Sequence, residues 1–278
     1  MVKSGEPGAQ PSSMADRSFG EAVGDYATQA FAVVAAEVQK LYHDPFELLT
    51  RAVQPVLWLM LFGEVMARVR GVAPGSIPYL DFLAAGILAQ SALFVAIFYG
   101  ISAIWERDLG VLQRYLVSPA PRSALVIGKA LSAGVRGLAQ AFIVYVLALL
   151  LGVGIDLHPL NILGVACAIV LGTGLFSMLS LIIACTVKTR ERFMGIGQVL
   201  TMPIFFASNA IYPLSLMPAW LSAVSHVNPL TYEVDALRAL MLVKGASDYG
   251  IWLDFGVLLA ATALLTTIAA RMYGRMGY

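Results

Sequence analysis

The chain has 278 residues, of which 59% are hydrophobic and only 13% are charged. A soluble domain carries about 25% charged residues, so this chain has too little charge to cover the surface of a soluble globule of its size. The net charge of +1 excludes the strong basic field that nucleic-acid binding uses. Two cysteines are too few for a disulfide-stabilised scaffold. The composition therefore indicates an integral membrane protein.

The amino-terminal part divides into two segments. Residues 1–25 are rich in Gly, Pro, Ser and charge, and they lack the continuous apolar core of a secretory signal peptide. We expect a flexible cytosolic tail there. In residues 26–43 apolar side chains such as Phe31, Val34 and Val38 recur at helical spacing between polar ones. This pattern favours an amphipathic interface helix on the membrane surface, with an ordinary soluble helix as the alternative.

Six apolar segments are each close to the roughly 20 residues that cross ~30 Å of hydrocarbon. The sequence therefore predicts an all-α membrane protein with spans over residues 48–69, 80–104, 129–153, 161–187, 194–212 and 250–271. With the amino terminus inside, eleven basic residues near the span ends lie on the inner side and four on the outer side. This asymmetry predicts that both termini are cytosolic.

Residues 213–244 are also apolar, but Pro213, Pro218 and Pro229 interrupt them. A full span here would place Glu233, Asp235 and Arg238 in mid-membrane, at a cost of about 2.5–3.5 kcal/mol each. We therefore expect a re-entrant pair of short outer helices. Within it, Pro229, Asp235 and Arg238 are expected to have structural roles. The spacing of three residues allows Asp235 and Arg238 to pair.

The stretch between the second and third spans is amphipathic and predicts a cytosolic helix over residues 105–117. Its apolar stripe is formed by Trp105, Leu109, Leu112 and Leu116. Ser118-Pro119 ends the helix, because proline disfavours its continuation. One interpretation is a surface helix that only joins two spans. The other is that its polar face docks into a soluble partner and transmits force.

Two stretches resemble type-2 ABC exporter permeases. The first, ERDLGVLQRYLVSPAPRSALVIGK, is similar to their inner loop, which has an acidic-basic pair, a Gly, a Leu-rich turn, Ser-Pro and Gly-Lys. The second, PIFFASNAIYPLSLMPAWLSAVSHVNPLTYEVDALRALML, is similar to their fifth span and outer helices. LYHDP followed by QPVLWLMLFG resembles their interface helix and first span. The pattern is most similar to the subgroup of daunorubicin-resistance and nodulation-oligosaccharide exporters, although Asn209-Ala210 departs from the small residues common there.

The resemblance implies an efflux permease of the plasma (inner) membrane that pairs with a second copy of itself. Each copy would sit on a separate ATPase subunit. The sequence contains no G-x-x-x-x-G-K-[ST] phosphate-binding motif. We therefore expect ATP and Mg on the partner, and no catalytic residue, cofactor or metal site on this chain. In the family the inner helix fits a groove on the ATPase, which implies docking through Glu106, Arg107, Gly110 and Arg114.

The resemblance also implies a pathway between the two copies, lined by spans one, two and five. The candidates on these spans are Gln90, Phe94, Gln198, Thr201, Phe205 and Ser208. A mostly apolar lining with scattered amides and rings suits an amphiphilic drug-like or lipid-like cargo. Hydrogen bonding to a neighbouring helix is the other role for such polar residues. A polysaccharide or lipid-linked oligosaccharide is the second choice of cargo.

Two other classes fit the sequence less well. A secondary transporter is expected to place ionisable residues near the membrane midplane or to break paired helices, whereas the inner-side charges here crowd the cytosolic rim. An intramembrane enzyme needs a nucleophile with a base, paired aspartates or a metal cluster, and the three histidines lie at interfaces or in loops. Asp254, close to Tyr249 and Trp252, is expected to be hydrated at the outer interface.

Overall fold

The computed structural model describes residues 53–68, 77–110, 122–187 and 189–273, together with the single positions 35, 39 and 50. The helices of this part of the chain are α1 (Val53–Ala67), α2 (Tyr79–Asp108), α3 (Arg122–Leu150), α4 (Pro159–Thr186), α5 (Arg190–Phe206), α6 (Ala219–Val227), α7 (Pro229–Met241) and α8 (Ile251–Tyr273). An isolated antiparallel bridge joins Ile155 to Leu242. Apart from positions 35 and 39, which are helical, the predicted tail and interface helix lie outside the described residues.

Four of the helices, α2, α3, α4 and α8, are long and apolar enough to cross a membrane. The described part of α1 is shorter and includes a π-helical stretch over Trp58–Gly63. Helix α5 has 17 residues, which at 1.5 Å each is about 25 Å. The all-helical fold class is therefore confirmed for the described residues, and four of the six expected spans have the required length.

Helices α2 and α4 form the centre of the bundle. Nearly every side chain of the first two-thirds of α2 is buried, as expected of a helix that is apolar on all sides. Helix α4 packs against α2, α3, α7 and α8. Glycine permits one of the closest approaches, since a Cβ at Gly86 would overlap the carbonyl oxygen of Ala210. The core thus depends on small residues at helix contacts.

Local sequence signals start several of the helices. The Thr189 hydroxyl accepts a hydrogen bond from the backbone N–H of Arg192 and caps α5. The Asn228 side chain caps α7 in the same way, with Pro229 in the first turn. Asp156, just before α4, accepts hydrogen bonds from the backbone N–H of His158 and the side chain of Asn161. These residues satisfy donors that a helix start leaves unpaired.

The bounds of two expected spans are corrected. Helix α3 begins at Arg122 and not at residue 129, because the helix continues beyond its apolar part. Helix α5 ends at Phe206 and not at residue 212. There the Ser208 hydroxyl donates to the carbonyl oxygen of Phe205 and accepts from the backbone N–H of Ala210, so a turn replaces the helix.

The expected separate helix over residues 105–117 is also corrected. Residues up to Asp108 continue the helix from its membrane-spanning part, with a one-residue turn at Gly100. Gly110 has φ +72°, a conformation that glycine adopts readily and that ends a helix. Residues 111–121 lie outside the described part of the chain. In the described part of the inner loop the helix therefore ends at Asp108, and the rest of the expected helix lies outside the described residues.

Candidate functional site

One end of the bundle carries a group of opposite charges that we call the ion-pair cluster: Glu106, Asp108, Lys129 and Arg190. The Lys129 Nζ lies 2.7 and 2.8 Å from the two carboxylate oxygens of Glu106. The Lys129 side chain is only 8% exposed and that of Glu106 is 25% exposed. This half-buried pair ties the end of α2 to the start of α3.

A second pair ties the same end of α2 to α5. The Arg190 guanidinium donates to Asp108 Oδ2 through Nε at 3.1 Å and Nη2 at 2.9 Å. Its Cζ also lies 3.4 Å from the ring centroid of Trp105, a favourable cation–π arrangement. Arg107 donates to the carbonyl oxygen of Val187 at 3.2 Å. Movement of the α2 end is therefore coupled to α3 and to the segment that leads into α5.

The cluster changes the interpretation of the proposed docking residues. The structure brings Glu106 and Arg107 together at the end of α2, but both bond to residues of this chain. Gly110 ends the helix next to them, and Arg114 lies outside the described residues. Sequence reasoning missed the partners Lys129, Asp108 and Arg190. The available signal was that opposite charges recur at span ends expected on one membrane side.

A cavity of about 350 Å³ lies between α1, α2, α3 and α5. We call it the amide cavity, and its polar lining residues are Thr50, Gln54, Gln90, Ser91 and Gln140. Phe94 and Phe98 stack with ring centroids 6.1 Å apart on the same helix. None of the described lining residues is charged. Within the described part of the chain the cavity therefore offers an apolar wall with hydrogen-bonding groups.

Two buried amides of this cavity lack partners within the described part of the chain. They are the Nε2 of Gln90 and the Oε1 of Gln140, on side chains that are 2% and 1% exposed. Burying a polar group without a hydrogen bond is costly. One unused donor and one unused acceptor, on α2 and α3, are thus available to a bound molecule.

The other expected pathway residues lie elsewhere. Thr201 and Ser208 are buried and donate to carbonyl oxygens of their own segment. Phe205 is fully buried, with its ring 5.9 Å from that of Trp58. Gln198 is exposed one turn after Met194 on α5 and does not line the cavity. The structure therefore brings Gln90 and Phe94 together in the cavity, adds Gln140, and does not include the other four.

At the opposite end of the bundle, Asp235 organises the turn between α7 and α8. Its Oδ2 accepts from the Ser247 hydroxyl at 2.7 Å and from the backbone N–H groups of Asp248 and Tyr249. The Ser247 Oγ is also 2.9 Å from Asp254 Oδ2. Asp254 is fully buried, which corrects the expectation that it is hydrated. The turn before α8 folds over it and removes it from solvent.

Arg238 does not form the expected ion pair with Asp235. Its Nη2 donates to the carbonyl oxygen of Asn209 at 2.9 Å, and its Cζ lies 3.8 Å above the centroid of the Phe82 ring. Asp235 faces the turn instead, because three donors converge on its carboxylate there. In that turn, partial burial and the nearby Asp235 raise the pKa of Asp248, while Arg238 opposes the rise.

A further buried acid is Glu233, one of the three charges that argued against a full span over residues 213–244. Glu233 on α7 is fully buried and packs against Gly172 of α4, where a Cβ would overlap its carboxyl group. Neither carboxyl oxygen has a hydrogen-bond partner among the described residues. Its helical position facing α4 depends on the α4–α7 packing, which sequence periodicity alone does not reveal.

This all-helical arrangement, with several membrane-length helices and its ionic contacts gathered at their ends, defines a multi-pass membrane protein. Comparison with known families identifies which one. Residues 28–242 match the family described as ABC-2 type transporter. This match covers more than half of the chain, so the chain belongs to the ABC-2 type transporter family. The resemblance seen in the sequence is thereby confirmed.

Relatives point to the same class. The chain is 31% identical over 222 residues to the "Putative transport permease ycf38" of Cyanophora paradoxa, covering 76% of this chain and 73% of that protein. It is 25% identical to the "Daunorubicin resistance ABC transporter permease protein DrrB1" of Streptomyces coeruleorubidus, covering 84% and 80%. Identity to "Nodulation protein J" of Rhizobium leguminosarum bv. viciae is 27%, covering 78% and 86%. The names of these relatives support a transport permease, but they describe different roles for the three proteins.

Proposed function

We propose that this chain is the permease subunit of an ATP-driven exporter in the plasma membrane. Two copies would pair, each on a separate ATPase subunit that binds ATP and Mg, with both termini in the cytosol. Helices α1 and α5 would complete the six spans, and α6 and α7 would form the outer re-entrant hairpin. The family match and the permease relatives support this assembly.

The proposed cargo is an uncharged amphiphile of drug-like or lipid-like size. The observation that carries this proposal is the amide cavity, whose lining contains no charged side chain among the residues that the structure describes. Its volume of about 350 Å³ is in the usual range for small-molecule sites, about 300–1,000 Å³. A ligand with a carbonyl acceptor and an apolar ring system would bond to Gln90 and pack on Phe94. A permanent charge would find no counter-ion among the described lining residues.

The ion-pair cluster is proposed to pass motion from the ATPase into the spans. A partner that moves the inner loop would pull on the end of α2, and the pairs with Lys129 and Arg190 would carry α3 and α5 with it. Since α2 and α3 also supply Gln90 and Gln140 of the amide cavity, such movement would change the shape of the cavity. Coupling and cargo binding would then share the same two helices.

The test uses the permease reconstituted in liposomes with its ATPase subunit. Nile red is the uncharged probe and rhodamine 6G the cationic one, and the readout is the probe concentration that half-saturates stimulation of ATP hydrolysis. We expect Gln90→Leu to raise this concentration for Nile red about 3- to 10-fold, the cost of the hydrogen bond that its unused Nε2 would donate to the carbonyl oxygen of the probe. Gln140→Leu should change it less, because the unused Oε1 of Gln140 is an acceptor and Nile red has no N–H or O–H donor. Gln198→Leu, an exposed amide outside the cavity, is the matched control.

Three outcomes would contradict the proposal. The same half-saturating concentration of Nile red for all three variants would show that the amide cavity is not the cargo site. Stronger stimulation by rhodamine 6G than by Nile red would show that the cargo is not uncharged. Absence of any ATPase activity that depends on the permease would contradict the assembly itself.

A further inference from the structure

A second cavity, of about 400 Å³, lies at the end of the bundle opposite the ion-pair cluster. We call it the outer cavity. It is enclosed by the start of α2, the segment after α5, helix α7 and the turn before α8. The side chains that matter for its chemistry are Ile77, Phe82, Leu214, Ser215, Arg238 and Asp248. It is separate from the amide cavity, with which it shares no lining residue.

Arg238 is buried in this cavity with most of its hydrogen-bonding capacity unused. It is only 4% exposed, and its one hydrogen bond within the described part of the chain goes from Nη2 to the carbonyl oxygen of Asn209. Nε has no partner there. A guanidinium carries several N–H donors in a planar fork. The Phe82 ring offers its face to the cation but accepts none of these donors in the way an oxygen does.

Such a buried cation needs an acceptor, and the chain directs the nearest acid elsewhere. Asp235, one turn earlier on α7, bonds to the turn over residues 247–249. No carboxylate of the described residues lies within ion-pair distance of Arg238. An oxyanion is the ligand that a guanidinium fork binds best, through charge-assisted hydrogen bonds. The geometry therefore fits a carboxylate or phosphate group in the outer cavity.

Asp248 adds the opposite charge at the exposed rim of the same cavity. It would repel a simple anion and attract a primary ammonium. The walls formed by Ile77, Phe82 and Leu214 are apolar and suit the carbon chain of the ligand. A small zwitterion satisfies all three features, whereas an inorganic anion satisfies only one.

We propose that the outer cavity binds a zwitterion in which an oxyanion and a primary ammonium lie a few bonds apart. The oxyanion bonds to Arg238 and the ammonium to Asp248. The headgroup of phosphatidylethanolamine and a free solute such as phosphoethanolamine share this chemistry. The inference does not rest on the proposed cargo, because it concerns a different cavity and is measured without the ATPase.

The first experiment measures binding of phosphoethanolamine to the lipid-stripped full-length protein in detergent by titration calorimetry. Phosphate and ethanolamine are the half-ligand controls, and each is expected to bind at least 10-fold more weakly. Asp248→Asn is expected to weaken the binding of phosphoethanolamine at least 10-fold. It should leave the binding of phosphate unchanged or make it tighter. Arg238→Gln is expected to abolish the binding of phosphoethanolamine and of phosphate. Glu191→Gln, an exposed acid at the opposite end of the bundle, is the control that changes neither.

Asp248 is exposed, so its substitution keeps the test valid even if Arg238→Gln fails to fold. Equal binding of phosphate and phosphoethanolamine, with no effect of Asp248→Asn, would overturn the zwitterion assignment. A second arm uses nanodiscs that contain phosphatidylethanolamine or phosphatidylglycerol, with native mass spectrometry of the retained lipid. Retention of phosphatidylethanolamine that Asp248→Asn removes would assign a lipid source, and binding of the solute alone would assign a soluble one. Binding of neither would refute the site.

Discussion

The contact between Glu106 and Lys129 is expected to contribute measurably to stability. Exposed ion pairs contribute about 0.2–1 kcal/mol, and breaking a fully buried pair costs about 3–5 kcal/mol. The Lys129 side chain is 8% exposed and that of Glu106 is 25% exposed, with the closest atoms 2.7 Å apart. The pair is therefore intermediate, and we expect either Glu106→Gln or Lys129→Gln to cost about 2 kcal/mol.

The assay is thermal unfolding of the purified protein in detergent, followed by tryptophan fluorescence. For a chain of this size 1 kcal/mol corresponds to about 2–4 °C in Tm, so each variant should unfold about 4–8 °C lower. The double variant should be less destabilised than the sum of the two single ones, by about 1–2 kcal/mol. Glu191→Gln removes an exposed acid at the same end of the bundle and is the control, with a change of less than about 0.5 kcal/mol.

The exchanged pair Glu106→Lys with Lys129→Glu gives the decisive comparison. It should recover part of the stability and part of the permease-dependent ATP hydrolysis that the single reversals lose. Additive effects in the cycle, or single variants as stable as the control, would refute the reasoning that this contact holds α2 to α3.

Other substitutions test the packing, each by thermal unfolding in detergent. Gly86→Ala should destabilise by about 1–3 kcal/mol because its Cβ would overlap the Ala210 carbonyl, whereas Gly256→Ala, with open space around it, should be neutral or stabilising. Glu233→Gln should be no less stable than the parent, since it removes a buried acid without a described partner. Asp235→Ala should cost about 2–4 kcal/mol because it leaves the donors of the α7–α8 turn unpaired.

Each of these outcomes has a clear opposite. Equal stability of the two alanine variants would mean that the close helix approach does not occur. A loss of more than about 1 kcal/mol in Glu233→Gln would mean that the carboxylate has an ionic role. If Asp235→Ala leaves the stability unchanged, the turn before α8 is held by other contacts.

The sequence predicted those features that hydropathy and local signals encode. The fourth and last spans were expected at residues 161–187 and 250–271, and the helices are Pro159–Thr186 and Ile251–Tyr273. Their apolar runs are long, and turn or capping residues bound them. The family was also predictable, because two motif-bearing stretches occur in the order typical of it. The matched residues 28–242 agree with that prediction.

Features that depend on tertiary contact were not predictable. A helical wheel places Trp105 and Leu109 on one stripe but does not show that the helix ends at Gly110, whose φ of +72° is a property of the folded turn. Similarly, Asp235 and Arg238 are correctly spaced for a pair. The competing donors of a turn more than ten residues later in sequence determine where Asp235 points.

Some residues of the amide cavity were predictable from the sequence, and others were not. Gln90 and Phe94 were identifiable as polar and aromatic positions on an expected span, and both line the amide cavity. Gln140 was missed because only the packing of α3 on α2 brings it there. Thr201 and Ser208 were candidates by residue type. The Thr201 hydroxyl instead bonds to a carbonyl of the preceding helical turn, and the Ser208 hydroxyl bonds to the carbonyl of Phe205 in the turn after α5.

The central claim is that the ion-pair cluster faces the cytosol, where an ATPase can act on it. The direct measurement is labelling of single cysteines with a membrane-impermeant maleimide, in a background carrying Cys167→Ser and Cys185→Ser. Glu191→Cys reports the cluster end and Trp220→Cys, at a side chain that is 69% exposed, reports α6 at the other end. We predict that intact cells label only position 220 and that inverted membrane vesicles label only position 191. Labelling of position 191 in intact cells would contradict the account.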